Sequence, residues 1–187
     1  MSSFTGAPLS IPSILSFRRQ WGDGPDATEG RVVDRHKAEV NPATAVVSKV
    51  TAGCAPVRVM TNADGSVVWV TVRESDSLLG FSAPKMRKDP DHSLIARVDV
   101  GEGPIGMTFV KNGREIVVAD SNLKSLPNVQ PDISVVSVSK ALDHQPALLG
   151  LVKSGELPRQ FYAQEKRLLV TNFGSGNLQN ILIPDLP

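Results

Sequence analysis

Three short runs crowded with apolar residues recur along the chain: Val67-Val68-Trp69-Val70-Thr71, Glu115-Ile116-Val117-Val118-Ala119 and Arg167-Leu168-Leu169-Val170-Thr171. Each follows a Gly-x-x-Pro segment, at Gly53-Cys54-Ala55-Pro56, Gly101-Glu102-Gly103-Pro104 and Gly155-Glu156-Leu157-Pro158. The first two runs end 15 residues after their proline and the third ends 13 residues after. Pro42 to Pro90, Pro56 to Pro104 and Thr71 to Ala119 are each 48 residues apart, so three landmarks share one period. A fixed period of this length predicts a repeat architecture with one supersecondary unit per copy. Pro104 to Pro158 stretches to 54, because the loop 120–132 takes twelve steps where 72–77 and 172–177 take five. The middle copy therefore carries an insertion around residues 123–130.

Each copy predicts four short strands, which in the second copy are about 105–110, 115–119, 132–138 and 147–152. All are rich in Val, Ile and Leu, which suit a pleated, half-buried surface. Asp64-Gly65 and Asn112-Gly113 fall between strands, where Gly and Asn supply the positive φ of a hairpin turn. The third copy has Gln164-Glu165-Lys166 there and lacks this signal. The reading is all-β: a partial β-propeller, an open arc of four-stranded antiparallel blades. Residues 1–30 fall outside the repeat, are rich in Ser, Pro and Gly, and read as irregular or disordered. The repeat starts at 31–50 as half a blade, with a third strand at 31–34 and a fourth at 44–50. Full blades are expected at 51–99, 100–152 and 153–187.

Composition removes several function classes. The 187 residues are enough for one domain with a real core. The net charge of +1 gives no electrostatic case for nucleic acid, and 5% aromatic residues argue against a base-stacking surface. No run approaches the roughly 20 apolar residues of a membrane span. The first residues lack a basic region, and Pro8 and Pro12 interrupt their weak apolar stretch. This reads against a secretory leader and makes a cytoplasmic location the default expectation. Cys54 is the single cysteine, so no intrachain disulfide is possible.

Gly-x-x-Pro followed by Val-Thr-Asn-Phe-Gly-Ser-Gly-Asn-Leu at 170–178 resembles the YVTN-type repeat of β-propellers, and most nearly the fungal lactonase-like propellers. The resemblance covers roughly residues 31–187. It implies a seven-bladed ring, in families that are often secreted and include enzymes, cell-surface proteins and binding modules. This chain departs from it in holding about three and a half blades. An arc of that size leaves the flat apolar face of a sheet exposed at each end. Two accounts stay open. The chain is a truncated form of a seven-bladed protein, or two copies meet as a homodimer, since twice three and a half is seven.

Propeller topology would gather the Gly-x-x-Pro segments and the loops between second and third strands at one end. That end collects Cys54, Asp76, Glu156, Asn172 and the insertion besides the candidate ligand-binding residues Arg73, Glu74, Glu102, Asp120 and Asn122; Arg58 is a further ligand-binding candidate. Carboxylates with an arginine suit a polar ligand or the activation of water. The competing reading is structural, because Asp and Asn in such loops bond nearby backbone. His36, His92 and His144 fall in diverging connectors and lack zinc-ligand spacing, so no metal site is expected. Lys85-Met86-Arg87-Lys88 is followed by Asp89 and Asp91 and reads as a solvated connector. Cys54 reads as a small buried residue. Gly174-Ser175-Gly176 matches neither a phosphate loop nor a nucleophile elbow, and no cofactor is expected. Two functions remain: a non-catalytic module binding a protein or small ligand at this end, or a lactonase-like hydrolase opening cyclic esters. In the second, Arg58, Arg73 and Glu102 would serve a channel.

Overall fold

The computed structural model describes residues 46–124 and 127–187. Contacts divide the chain at Val47, and the architecture below is that of the unit Ser48–Pro187. The expected irregular segment 1–30 and the expected third strand at 31–34 lie outside the described residues.

The first sheet runs in the order β1 (Pro56–Thr61), β2 (Val67–Val72), β3 (Ser77–Ser82), β4 (Leu94–Asp99). The middle sheet repeats this order with β5 (Pro104–Val110), β6 (Glu115–Asp120), β7 (Asp132–Ser137) and β8 (Leu148–Lys153). The third sheet holds β9 (Pro158–Gln164), β10 (Arg167–Asn172) and β11 (Asn177–Leu182). Every pairing is antiparallel between strands adjacent in sequence. The first strands lie together, β1 beside β5 and β5 beside β9, so the sheets stand radially as the blades of a partial β-propeller. Arg58 on β1 reaches β9, its Nη2 donating to Gln160 Oε1 at 3.2 Å.

Two expectations need correction. The third copy has three strands in place of four: after β11 the chain makes a 3-10 turn at Ile183–Asp185 and packs Ile183 and Leu186 onto the core. Val46–Val50 is not a strand, because a strand needs a neighbour to bond and none of the described residues pairs with it. The connectors before the outer strands also carry short helices, α1 (Ala83–Lys88) and α2 (Val138–Leu142). Ser82 and Ser137 cap them by accepting from Lys85 N and Lys140 N.

The core lies between sheets. Trp69, Leu78 and Val98 of the first sheet meet Met107, Ile116 and Val118 of the middle one. The opposite face of the middle sheet, with Val117, Ala119, Ile133 and Val135, meets Phe161, Leu168 and Val170 of the third. The middle sheet is thus covered on both sides, and Ile116 through Ala119 are all buried. Trp69 fits because Gly80 stands opposite it on β3. A Cβ at Gly80 would lie 3.0 Å from the Trp69 ring and 3.1 Å from Ala96 Cβ.

The hairpin turns follow their sequences. Asn112 and Gly113 take φ of 59° and 79°, as a type I′ turn requires. In the third copy Glu165 takes φ 51°, so β9 and β10 still join by a two-residue turn without glycine.

Sheets are locked at the inner strands by close backbone contact and by hydroxyls. Thr71 Oγ1 donates to Ile105 O at 2.9 Å, and Ser121 Oγ donates to Pro158 O. A Cβ on Gly106 would fall 2.1 Å from Arg159 O, a rigid backbone atom. Gly106→Ala is expected to lower unfolding stability by about 2–3 kcal/mol, within the range for overpacked cores. Urea denaturation followed by far-UV circular dichroism measures this, and an unchanged midpoint contradicts the packing described.

Candidate functional site

The end of the arc that carries the Gly-x-x-Pro segments is built three times on one backbone plan. The residue before each proline is left-handed: Ala55 at φ 60°, Gly103 at 64° and Leu157 at 52°. The carbonyls preceding the proline then accept from the loop after the second strand. Ala55 O accepts from Arg73 N and Cys54 O from Glu74 N. Gly103 O accepts from Ser121 N and Glu102 O from Asn122 N. Leu157 O accepts from Phe173 N and Glu156 O from Gly174 N. The backbone is constant, and the side chains it presents differ from sheet to sheet.

Between the first and middle sheets those side chains are charged. Lys124, in the insertion, places Nζ 2.8 Å from Glu74 Oε2, while Arg73 Nε lies 3.2 Å from Glu74 Oε1. Lys124 is the main reason the Glu74 carboxyl sits below its ordinary range, and Glu74 is the main reason the Lys124 ammonium sits above its own. Glu102 joins from the next Gly-x-x-Pro segment. Burial raises its carboxyl above the ordinary range, and a hydrogen bond with Asp76 adds to this. Asp76, left-handed at φ 43°, also accepts from Gly103 N at 2.9 Å through Oδ1. Arg73, Glu74, Glu102, Asp76 and Lys124 therefore form one mixed-charge surface. The sequence places Asp76 at this end without making it a candidate ligand-binding residue, and it does not single out Lys124. The available signal for Lys124 was its place as the one cation of the insertion.

The other three candidates lie elsewhere. Arg58 sits on the inner strand with Gln160. Asp120 is 1% exposed and works inside its own sheet, its Oδ2 accepting from Ser134 N at 3.0 Å and Ser134 Oγ at 2.6 Å. Asn122, also buried, donates Nδ2 to Val129 O at 2.9 Å and shapes the inserted loop. Cys54 is exposed, contrary to the expected buried packing. Its position is that of Glu102 and Glu156 in the other copies, and those polar partners are the signal that it faces water. His92 pairs with Asp89 at 2.9 Å in an outer connector, and that contact raises its imidazole above the ordinary range.

No helix of the described residues is long and apolar enough to cross a membrane by itself. No family model matches the chain, and no curated protein matches it by sequence. Solved structures do match. A functionally unknown protein of Desulfotomaculum acetoxidans aligns with TM-score 0.58 at 12% identity, over 73% of this chain and 39% of that one. The periplasmic gluconolactonase of Pseudomonas aeruginosa aligns with TM-score 0.55 at 17% identity, over 71% and 36%. A 6-phosphogluconolactonase candidate from Bacteroides fragilis aligns with TM-score 0.54 at 18% identity, over 72% and 40%. The class these likenesses define is the β-propeller, as a fold. The chain spans about two-fifths of the length of those proteins.

Two outcomes follow from the electrostatics. Burial pushes the Asp120 carboxyl up to about 7, opposed by the Ser134 bonds. The folded state thus holds a proton that the unfolded chain has released above about pH 4. Stability is therefore lost as pH rises from about 4 to about 7, by roughly 4 kcal/mol in all. The third sheet has Asn172 at the equivalent place, so Asp120→Asn is expected to fold and to lose this slope. Urea midpoints at pH 4 and pH 8 test it, and equal slopes for the two proteins contradict it. Separately, Lys124→Ala is expected to change stability by less than about 1 kcal/mol, because the pair is exposed. The same change should speed proteolytic cleavage within 120–132. Unaltered cleavage would show that the ion pair does not hold the loop.

Proposed function

We propose that the chain is a YVTN-type propeller module that binds a polar ligand or a protein segment at the end carrying Arg73, Glu74, Asp76, Glu102 and Lys124. The observation that carries this reading is the Lys124–Glu74 ion pair, which fastens the inserted loop to the neighbouring sheet. Insertions in repeat proteins concentrate on one face, often the binding face, and long loops are commonly functional. These charges pair with one another and build a surface of both signs, a form suited to recognising a polar partner. The run Val170 to Leu178, which carries the family resemblance, spans the end of β10, its turn and the start of β11. Neighbouring sheets complete the ring, from a longer seven-bladed chain or from a second copy.

A second reading rests on the carboxyl pair. Glu102, raised by burial and further by Asp76, is a carboxyl of the kind that can take part in proton exchange. In a lactonase-like hydrolase of cyclic esters it would activate water, with Arg73 near the developing charge. The likeness to lactonase structures bears on the fold alone.

A panel of sugar lactones and the corresponding sugar acids separates the two. The binding reading expects amide chemical-shift changes confined to residues 73–76, 102 and 120–131, with no hydrolysis above buffer. Those changes should disappear when the loop is shortened to the five-step length, and when Glu74 and Lys124 are both changed to Ala. Shifts that survive both changes sink the site. Turnover abolished by Glu102→Gln establishes the hydrolase instead.

A further inference from the structure

The two junctions between sheets at the loop end are built alike and filled differently. Asp76 stands directly before β3, and Pro131 stands directly before β7. Their carbonyls have the same task, Asp76 O accepting from Val100 N and Pro131 O from Ser154 N. Glu102 and Glu156 hold the same place in successive Gly-x-x-Pro segments, as do Gly103 and Leu157. At the first junction Asp76 engages both neighbours. Its Oδ1 accepts from Gly103 N at 2.9 Å, and it hydrogen-bonds the Glu102 carboxyl. At the second junction Pro131 has no polar side chain to offer Glu156. Among the described residues no cation pairs with the Glu156 carboxylate. A cavity of about 400 Å³ opens there, between the inserted loop and the third Gly-x-x-Pro segment. That lies within the size of small-ligand pockets.

The lining sorts by chemistry. Val129, Pro131 and Leu157 are half-buried and form apolar walls. Leu157 holds φ 52° where the middle sheet uses Gly103, a backbone conformation that is an outlier for a bulky residue. Such outliers cluster at ligand sites. Glu156 is the one charged residue of the lining. Its backbone is fixed, with Glu156 N donating to Ser175 Oγ at 2.6 Å. Ser121 is buried and commits its hydroxyl hydrogen to Pro158 O, so what it still offers is lone pairs. Asn122 Nδ2 donates to Val129 O at 2.9 Å and holds that wall in place. Asn128 and Gln130 are exposed at the rim, where amides suit a peptide backbone.

We propose that this cavity takes a lysine side chain of a partner protein, its stem between Val129, Pro131 and Leu157 and its ammonium at Glu156. Lysine is an apolar stem that ends in a compact cation with donors and no acceptor. The cavity matches it part for part, with apolar walls, an unpaired carboxylate and a hydroxyl that can only accept. A carboxylate or phosphate ligand would meet Glu156 with no cation in the lining to offset it. The cavity lies on the opposite side of the insertion from the Lys124–Glu74 pair. The inference deepens the reading of this end as a place for a protein segment, and rests on it. One segment crossing the insertion would meet the mixed-charge surface on one side and the cavity on the other.

The test is nuclear magnetic resonance of the full chain titrated with Nα-acetyl-lysine N-methylamide at constant ionic strength. Saturable amide shifts are expected at residues 121–122, 128–130 and 156–157. Norleucine and Nε-acetyl-lysine in the same blocked form keep the stem without the charge, and should bind about tenfold more weakly. Glu156→Gln should weaken the lysine probe by about tenfold and erase its advantage over the norleucine probe. Asp143→Asn removes an exposed carboxylate at the other end of the sheet and should leave binding unchanged. Leu157→Gly, which keeps a backbone that Gly103 already adopts, should weaken the lysine and norleucine probes together. Absence of saturable shifts with the lysine probe overturns the inference. So does equal binding of the norleucine probe, or lysine binding that Glu156→Gln leaves intact. Binding of pentylammonium but not of blocked lysine also overturns it, and makes this a site for free amines. Shifts at 73–76 and 102 that survive Glu156→Gln overturn it too, while the reading of the mixed-charge surface stands.

Discussion

Coverage of both apolar faces of each sheet is the constraint on which this structure depends. A blade with Val, Ile and Leu on each side is unstable in water unless sheets flank it. The middle sheet meets that condition, and Ile116 to Ala119 are buried without alternation. β10, whose Leu168-Leu169-Val170 run is similar in composition, alternates buried with more exposed positions. Location in the stack, and not residue type, decides how each run reads. Small residues then set how closely sheets approach: Gly80 beneath Trp69, and Gly106 against the Arg159 carbonyl.

The loop end shows how variety arises on this frame. The same two backbone hydrogen bonds close it in each copy. The side chains at those places are Arg73, Ser121 and Phe173, then Glu74, Asn122 and Gly174. The first pair contributes to the charged surface. The second turns inward, with Ser121 bonding the next sheet and Asn122 holding the insertion. The third leaves Phe173 exposed, its ring 5.2 Å from the Arg159 guanidinium. Chemistry at this end is therefore a matter of substitution on fixed positions, with one added loop.

Much of this was legible from residue order. Runs rich in Val, Ile and Leu, Gly and Asn turns and the common period located strands of the middle sheet to within a residue or two, because hairpin pairing is local. The topology also told which end each loop joins, and it grouped Arg73, Glu74 and Glu102. Depth was not legible. Asp120 and Glu102 lie on the same end, yet one is sealed beneath Ser134 and the other opens to the surface, a difference set by contacts between strands. Nor does periodicity reveal whether a strand finds a partner. Val46–Thr51 has the pattern of β4 and lacks the pairing. Lys124 was hidden because an insertion has no equivalent from which its position can be inferred.

Each sheet is a meander drawn from one continuous stretch of chain, with no strand borrowed from another stretch among the described residues. Contacts within a sheet are therefore short in sequence, while those between sheets bridge longer separations. Short-range pairing closes small loops at low entropic cost, so single blades can nucleate before the stack assembles. The resulting protein is a series of cooperative units of unequal strength. Amide protons of β6 and β7, flanked on both faces, belong to the last unit to open. Those of β1 and β11, edge strands of their sheets among the described residues, exchange with solvent sooner.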